Sequence, residues 1–77
     1  MDQRYVAAEI RAELGRQNLS QGNLASALGW TEAYLSRRLT GQVPFSLADV
    51  AAIARTLGVR PNQFLDDAAE PTGRRAS

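Results

Sequence analysis

Apolar residues recur every three or four positions along most of the chain, which is the spacing of one face of an α-helix. In the first such segment Val6, Ile10 and Leu14 repeat at intervals of four, and charged residues stand between them. This pattern predicts an amphipathic helix over about residues 3–17. Three later segments show the same spacing, and a fifth, shorter one follows them.

Capping residues and glycines mark where these helices begin and end. Ser and Thr are preferred N-cap residues, and Gly is the usual residue just beyond a helix C-terminus. Pro61 suits the first position of a short fifth helix, from which Phe64 and Leu65 are expected to pack back onto the core. The predicted N-caps are Ser20, Thr31 and Ser46, the last in a capping box with Asp49, and the predicted stops are Gly29, Gly41 and Gly58.

The domain organisation follows from these elements. Five helices without a strand-like segment predict one all-α domain over about residues 1–66. The next stretch, about residues 67–77, has no large apolar residue and contains Pro71 and Gly73. Such a stretch cannot bury enough apolar surface to fold, so it is predicted to be a disordered C-terminal tail or a linker to a further domain.

Composition excludes several classes of protein. The chain has no His and no Cys, which removes the usual zinc sites, disulfides, and Ser-His or Cys-His catalysis. We therefore expect no catalytic residue, no metal, no other cofactor and no enzymatic activity. No apolar stretch has the length of a membrane span, and the N-terminus lacks the pattern of a signal peptide. A cytoplasmic protein is expected, and a net charge of +1 gives no sign of nucleic acid binding.

The spacing of small and apolar residues around Gly29 is the most informative feature. In a unit of about twenty residues beginning at Gln21, a small residue is required where the two helices cross closely, and Ala25 stands there. Gly29 suits the positive φ of a tight turn, and Leu35 supplies the branched apolar side chain between the helices. Together these positions predict a helix-turn-helix formed by the second and third helices.

Longer strings extend this pattern from Leu19 to Leu65. They are Leu19-Ser20-Gln21, Leu24-Ala25, Leu28-Gly29, Leu35-Ser36-Arg37, Gly41, Ser46-Leu47, Ile53-Ala54 and Leu57-Gly58-Val59. With these strings the chain resembles the lambda-repressor-like helix-turn-helix domains, the Cro/cI or XRE family. Phe45 and the segment from Tyr34 to Gly41 resemble actinobacterial and actinophage members of that family. The resemblance implies a five-helix DNA-binding fold.

Two positions depart from the family's pattern. Many relatives carry a basic residue at the place of Leu14 and an acidic residue at the place of Leu39, joined as a buried ion pair. Here both are Leu, which we interpret as an apolar contact between the first and third helices, because buried pairs tolerate such replacement. Arg38 stands where relatives usually have an apolar residue, and Leu39 is expected to fill that space.

The resemblance implies that the third helix lies in the DNA major groove and reads base edges. The protein would then bind a specific double-stranded DNA sequence as a transcriptional regulator, with a phage-type repressor serving phage immunity as the favoured hypothesis. Its location would be the cytoplasm of a bacterial cell or a phage-infected host. A protein-interaction module or an antitoxin with the same fold is the alternative.

The resemblance also implies a set of DNA-binding residues. Arg37 is expected to contact guanine and Ala33 a thymine methyl group. Glu32 either accepts a hydrogen bond from cytosine or serves as a first-turn acid that suits the helix dipole. The full set is Gln21, Thr31, Glu32, Ala33, Ser36, Arg37, Arg38, Thr40 and Gln42.

For three residues, both a phosphate contact and a role within the domain stay open. Gln21 contacts a phosphate or is a simple first-turn residue, and Tyr34 reaches a phosphate or lies half-buried. Arg38 contacts a phosphate, pairs with Glu32 or lies along the helix. Backbone N–H groups in the loop from Gly41 to Phe45 are expected to bind phosphates as well.

The remaining charges are interpreted as surface residues. Glu9, Glu13 and Asp49 are expected on solvated faces away from DNA. Arg4, Arg11 and Arg16 are expected on the surface of the first helix, with an N-terminal arm as the alternative for Arg4.

Family members usually dimerise on DNA, with recognition helices about 34 Å apart. A homodimer through Phe64 and Leu65 of the fifth helix is therefore expected, and a weakly binding monomer or a protein that works with a separate partner is the alternative.

Overall fold

The computed structural model describes residues 1–65, which form four α-helices and one short 3₁₀ helix. No strand occurs within that range, and none of its helices has the length and apolarity that a membrane crossing requires. The predicted tail, residues 67–77, lies outside the described residues. In chain order the elements are α1 (Gln3–Gln17), α2 (Gln21–Leu28), α3 (Glu32–Leu39), α4 (Leu47–Leu57) and the 3₁₀ turn (Pro61–Gln63).

The predicted N-caps are confirmed. The Ser20 hydroxyl accepts a hydrogen bond from the N–H of Asn23 at 2.9 Å, and the Asn23 side chain accepts one from the N–H of Ser20 at 3.0 Å. Ser46 and Asp49 form the same reciprocal capping box at the start of α4. Thr31 caps α3 by accepting from the N–H of Tyr34. These contacts satisfy N–H groups that have no partner within the helix.

The prediction of a fifth α-helix is wrong, because the segment after α4 forms a single 3₁₀ turn. Pro61 occupies its first position, as the sequence predicts. The N–H of Phe64 donates to the carbonyl of Pro61 at 2.9 Å, and this i→i+3 bond turns the chain more tightly than an α-helical bond. The tight turn returns Phe64 to the core at once, and its side chain is fully buried.

One apolar core is shared by all four α-helices. Leu14 of α1 and Leu39 of α3 are both buried in it, at the two positions where relatives carry an ion pair. Leu28, Trp30, Val59 and Leu65 pack against its edge and are partly buried. The fully buried large side chains are Val6, Ile10, Leu24, Leu35, Val50, Ile53 and Phe64.

Candidate nucleic-acid interface

A three-residue turn joins α2 to α3. Gly29 ends α2 with φ at +74°, in the left-handed region that glycine adopts without strain. The N–H of Trp30 then donates to the carbonyl of Ala25 at 2.9 Å, and Thr31 caps α3. The two helices are thus held together by Ala25 and Leu35 in the core and by a turn without spare length.

Most of the predicted base-reading residues share one side of α3. With 100° between successive residues, Glu32, Ala33, Ser36 and Arg37 fall within a 140° arc, and Leu35 lies outside it in the core. Ser36 and Gln21 are half-buried. The exposed members of the predicted set are Thr31, Glu32, Ala33, Arg37, Thr40 and Gln42.

Arg37 and Arg38 are adjacent in the sequence but occupy different environments. Arg37 is exposed, and within residues 1–65 its guanidinium has no protein partner. The side chain of Arg38 is only 14% exposed, and its Nε donates to Asp49 Oδ2 at 3.2 Å. Its Nη1 donates to the carbonyl of Tyr34 at 3.0 Å, and its Cζ lies 3.5 Å from the centre of the Tyr34 ring. Arg38 therefore does not pair with Glu32, because Asp49 of α4 and the carbonyl of Tyr34 are its partners.

Asp49 is the centre of a buried polar network between α3 and α4. The expectation of a solvated residue is wrong, because Asp49 is only 8% exposed. Its carboxylate accepts hydrogen bonds from the Tyr34 hydroxyl at 3.0 Å, the N–H of Ser46 at 2.9 Å and Arg38. Burial raises the pKa of Asp49, but the hydrogen bonds from Ser46, Tyr34 and Arg38 outweigh burial and leave the pKa below its ordinary value.

Tyr34 is half-buried in this network, which agrees with the second of its two interpretations. Its hydroxyl donates to Asp49, and this bond is the main reason that the pKa of Tyr34 is raised. The Trp30 ring lies against it, with centroids 4.6 Å apart. Trp30 thus packs at the turn. The hydrogen bond from Tyr34 and the ion pair of Arg38, both to Asp49, join α3 to α4.

A second buried acid joins α1 to the 3₁₀ turn. Glu13 was expected on a solvated face, but it is only 7% exposed. Its carboxylate accepts hydrogen bonds from Gln17 at 2.8 Å, from Arg16 at 2.9 Å and from Gln63 at 2.6 Å. The bonds from Gln17, Arg16 and Gln63 hold the pKa of Glu13 below its ordinary value.

We expect acid to destabilise the protein through these two carboxylates. Their pKa values are lower in the folded protein than in the unfolded chain. The stability they contribute is therefore fully present above their ordinary pKa values, the higher of which is 4.5 for Glu13, and it is lost as the pH falls through the lowered values. Glu13→Gln removes one titration, so the difference in unfolding free energy between wild type and variant should shrink between pH 6 and pH 3. Urea denaturation at each pH measures it, and a constant difference would contradict the assignment.

Glu32 lies close to the first turn of α2. Its Oε2 would be 2.8 Å from a Cβ atom built on Gly22, so this carboxylate occupies space that any other residue at position 22 would claim. The N-terminus of α2 carries partial positive charge, which favours a carboxylate nearby. Gly22 thus gives Glu32 a resting position that its place in the sequence does not reveal.

The loop between α3 and α4 has no spare N–H group for a phosphate. The expectation that its backbone binds phosphates is wrong, because each N–H donates within the protein and Pro44 has none. The acceptors are the Arg38 carbonyl for Gly41, the Arg37 carbonyl for Gln42 and Val43, and Gln3 Oε1 for Phe45. The hydroxyl of Thr40 likewise donates to the carbonyl of Ser36 at 2.9 Å. Of the predicted residues at this end of α3, the Gln42 side chain keeps free donors.

The predicted dimer contact at Phe64 is also wrong. Phe64 has no exposed surface, so it cannot touch a second copy in this conformation. Leu65 beside it is partly buried against the core. The 3₁₀ turn directs both side chains towards the core, where Phe64 is fully buried and Leu65 is partly buried.

Comparison with known families supports the pattern in the sequence. A family model described as a helix-turn-helix domain matches residues 6–65, which is most of the chain. Comparisons with curated proteins and with solved structures give no significant match. The matched range runs from the first turn of α1 to the end of the described residues and includes α2, α3 and the turn between them. The chain belongs to the helix-turn-helix domain family.

Proposed function

We propose that the protein binds double-stranded DNA of a specific sequence and represses transcription, with α2 and α3 as the helix-turn-helix. In this proposal α3 lies in the major groove. The observation that carries it is the free guanidinium of Arg37, which stands on the same side of α3 as Glu32 and Ala33. Within residues 1–65 this guanidinium has no hydrogen-bond or ion-pair partner, and arginine is the residue best suited to guanine.

The proposed contacts divide into base and phosphate contacts. Arg37 donates to guanine, Glu32 accepts from cytosine after leaving Gly22, and Ala33 touches a thymine methyl group. The other exposed or half-buried residues of the set position the helix by contacts to the backbone or neighbouring base edges. These are Gln21, Thr31, Ser36, Thr40 and Gln42. Arg38 is left out of the proposed contacts, because Asp49 and Tyr34 hold it.

Arg37→Ala is expected to weaken binding to the specific site by about 5- to 150-fold, which corresponds to about 1–3 kcal/mol. Selection of bound sequences from random duplexes supplies the site, and fluorescence anisotropy then measures affinity for it and for single-base variants. The variant should lose its preference at one base pair. Its melting temperature should stay that of the wild type, because Arg37 has no partner in residues 1–65.

Arg55→Ala is the matched control, since Arg55 is an exposed arginine on α4. It removes the same charge and should keep the base preference. Equal effects of the two variants would contradict a base contact by Arg37. A selection that returns no motif from the folded protein would favour the protein-interaction module instead. A motif with two half-sites about 34 Å apart would indicate that two copies bind together, through a surface other than Phe64.

A further inference from the structure

Near the C-terminal end of α3 the loop offers a phosphate the side-chain donors of Gln42 and few others. The backbone N–H groups from Gly41 to Phe45 and the Thr40 hydroxyl have partners within the protein, and Asp49 and Tyr34 hold Arg38. A chain with a net charge of +1 cannot rely on a general positive field either. Arginines on a neighbouring helix would add the positive charge that the loop lacks.

A cleft of about 270 Å³ between α1 and the end of α3 supplies them. Arg4 and Arg11 of α1 line one wall, Leu39, Thr40 and Gly41 line the other, and no acidic residue lines it. Arg4 and Arg11 are seven residues apart on a helix, so both point from the same face.

Two hydrogen-bonded contacts fix the walls of the cleft. Arg11 Nη2 donates to the carbonyl of Leu39 at 2.7 Å, which places a positive charge at the negative end of the α3 dipole. At the other end of α1, the Gln3 amide donates to the carbonyl of Phe45 at 3.2 Å and accepts from its N–H at 2.6 Å. The cleft is thus already formed without a ligand.

Both arginines keep donors for an anion. A guanidinium has five N–H donors, and the structure uses one of those of Arg11. The side chain of Arg4 is exposed, and no protein acceptor within residues 1–65 engages it. Two guanidinium groups without a neighbouring carboxylate in the cleft match the charge and the planar donor geometry that bind a phosphate group.

We propose that Arg4 and Arg11 bind one phosphate of the DNA backbone in this cleft, beside the end of the recognition helix. The proposal rests on the proposed function, because it assumes that α3 enters the major groove. The contact carries no base information. It fixes how far α3 enters the groove by clamping the strand from α1.

The dependence of DNA affinity on salt tests the proposal directly. The slope of log K against log salt concentration falls by about 0.9 for each phosphate contact that is lost. Since both arginines bind one phosphate, Arg4→Ala and Arg11→Ala combined should flatten the slope by about 0.9. Each single change should flatten it by part of that amount and weaken binding evenly across sequences, with the base preference of the wild type retained. Arg55→Ala is the matched control and should leave the slope unchanged, because Arg55 is outside the cleft.

Arg11 also bonds to Leu39, so its variant needs a check on folding. Arg4→Ala removes no hydrogen bond of the side chain, and it should melt at the temperature of the wild type. If the wild type binds DNA with an Arg37-dependent preference while Arg4→Ala and Arg11→Ala keep the slope of Arg55→Ala, the cleft proposal is overturned and the proposed function stands. If the wild type binds no duplex, the proposed function itself fails.

A second experiment distinguishes binding of a DNA backbone phosphate from binding of free phosphate. Inorganic phosphate replaces chloride at constant ionic strength, and amide resonances of Arg11, Thr40 and Gly41 are followed without DNA. Shifts at millimolar phosphate together with an unchanged DNA salt slope in the Arg4→Ala variant would assign the cleft to a free anion and overturn the proposal. Flattened slopes with resonances that do not move support the backbone contact.

Discussion

Asp49→Ala is expected to lower the free energy of unfolding by about 3 kcal/mol. The change leaves Arg38 in a largely buried position without its carboxylate, and breaking such a pair costs about 3–5 kcal/mol. The lower end applies because the Arg38 side chain is 14% exposed and can turn towards water. Chemical denaturation of the wild type and the variant measures the difference, which is a large part of the stability of a small domain.

A double-mutant cycle identifies the source of this loss. Ser46→Ala is the control for capping, because it removes the hydroxyl that accepts from the N–H of Asp49, and such a loss costs about 1 kcal/mol. Arg38→Ala combined with Asp49→Ala leaves no unpaired charge, so the double variant should be more stable than the sum of the single losses predicts. Additive losses would show that the ion pair between α3 and α4 has no energetic role.

Leu14→Arg is expected to destabilise the protein still more, by about 4 kcal/mol. Leu14 is buried in the shared core, where a guanidinium would have neither water nor a partner. It would also be too large for the space that leucine fills. Thermal and urea denaturation should both show the loss. Leu14→Met is the matched control, since this apolar replacement of similar volume costs less than about 1.5 kcal/mol.

Leu39→Glu tests whether the two leucines replace an ion pair. On its own it buries an unpaired carboxylate and should be destabilising. In combination with Leu14→Arg it restores the pair that the family resemblance implies, so the double variant should recover part of the stability that Leu14→Arg loses. A Leu14→Arg protein that melts like the wild type, or a double variant with fully additive losses, would contradict the interpretation of this site.

The boundaries of the helices follow from local chemistry, and for that reason the sequence predicts them well. Ser20, Thr31 and Ser46 cap helices through bonds to residues three positions later. Gly29 and Gly58 end helices because their own backbone can take a positive φ. None of these interactions depends on a distant part of the chain. The fifth helix is the exception, because the burial of Phe64 decides the shape of that segment.

Only part of the candidate site depends on residues that are close to one another in the sequence. Helical spacing correctly separates Leu35 and Leu39 from the exposed residues of α3. It does not reveal that Glu32 rests against Gly22 or that the loop N–H groups are already used. Those facts depend on neighbours in other elements. The available signal in the sequence was Gly22, because a glycine in the first turn of a helix leaves room for a side chain to approach its backbone.

The burial of Glu13 and Asp49 also depends on contacts between elements. Glu13 stands seven residues after Val6 and Asp49 four residues before Ile53, so helical spacing places both beside the apolar face of their helices. Gln63 and Arg38 cover them there. Both partners are remote in sequence or on a different helix, and no periodicity connects them. The corrections to the predicted surface therefore share one cause, which is packing between elements.

By itself, the sequence predicted the four α-helices, the N-caps of three of them, the apolar face of each, and the spacing typical of a helix-turn-helix. These features depend on residues within about one or two helical turns of each other. Only the tertiary structure decided which arginine of α3 is free. Arg37 and Arg38 differ by one 100° step around the helix, and α4 happens to place Asp49 against the second of them. A buried guanidinium requires a partner, so the position of α4 leaves Arg37 as the arginine of α3 that has no partner within residues 1–65.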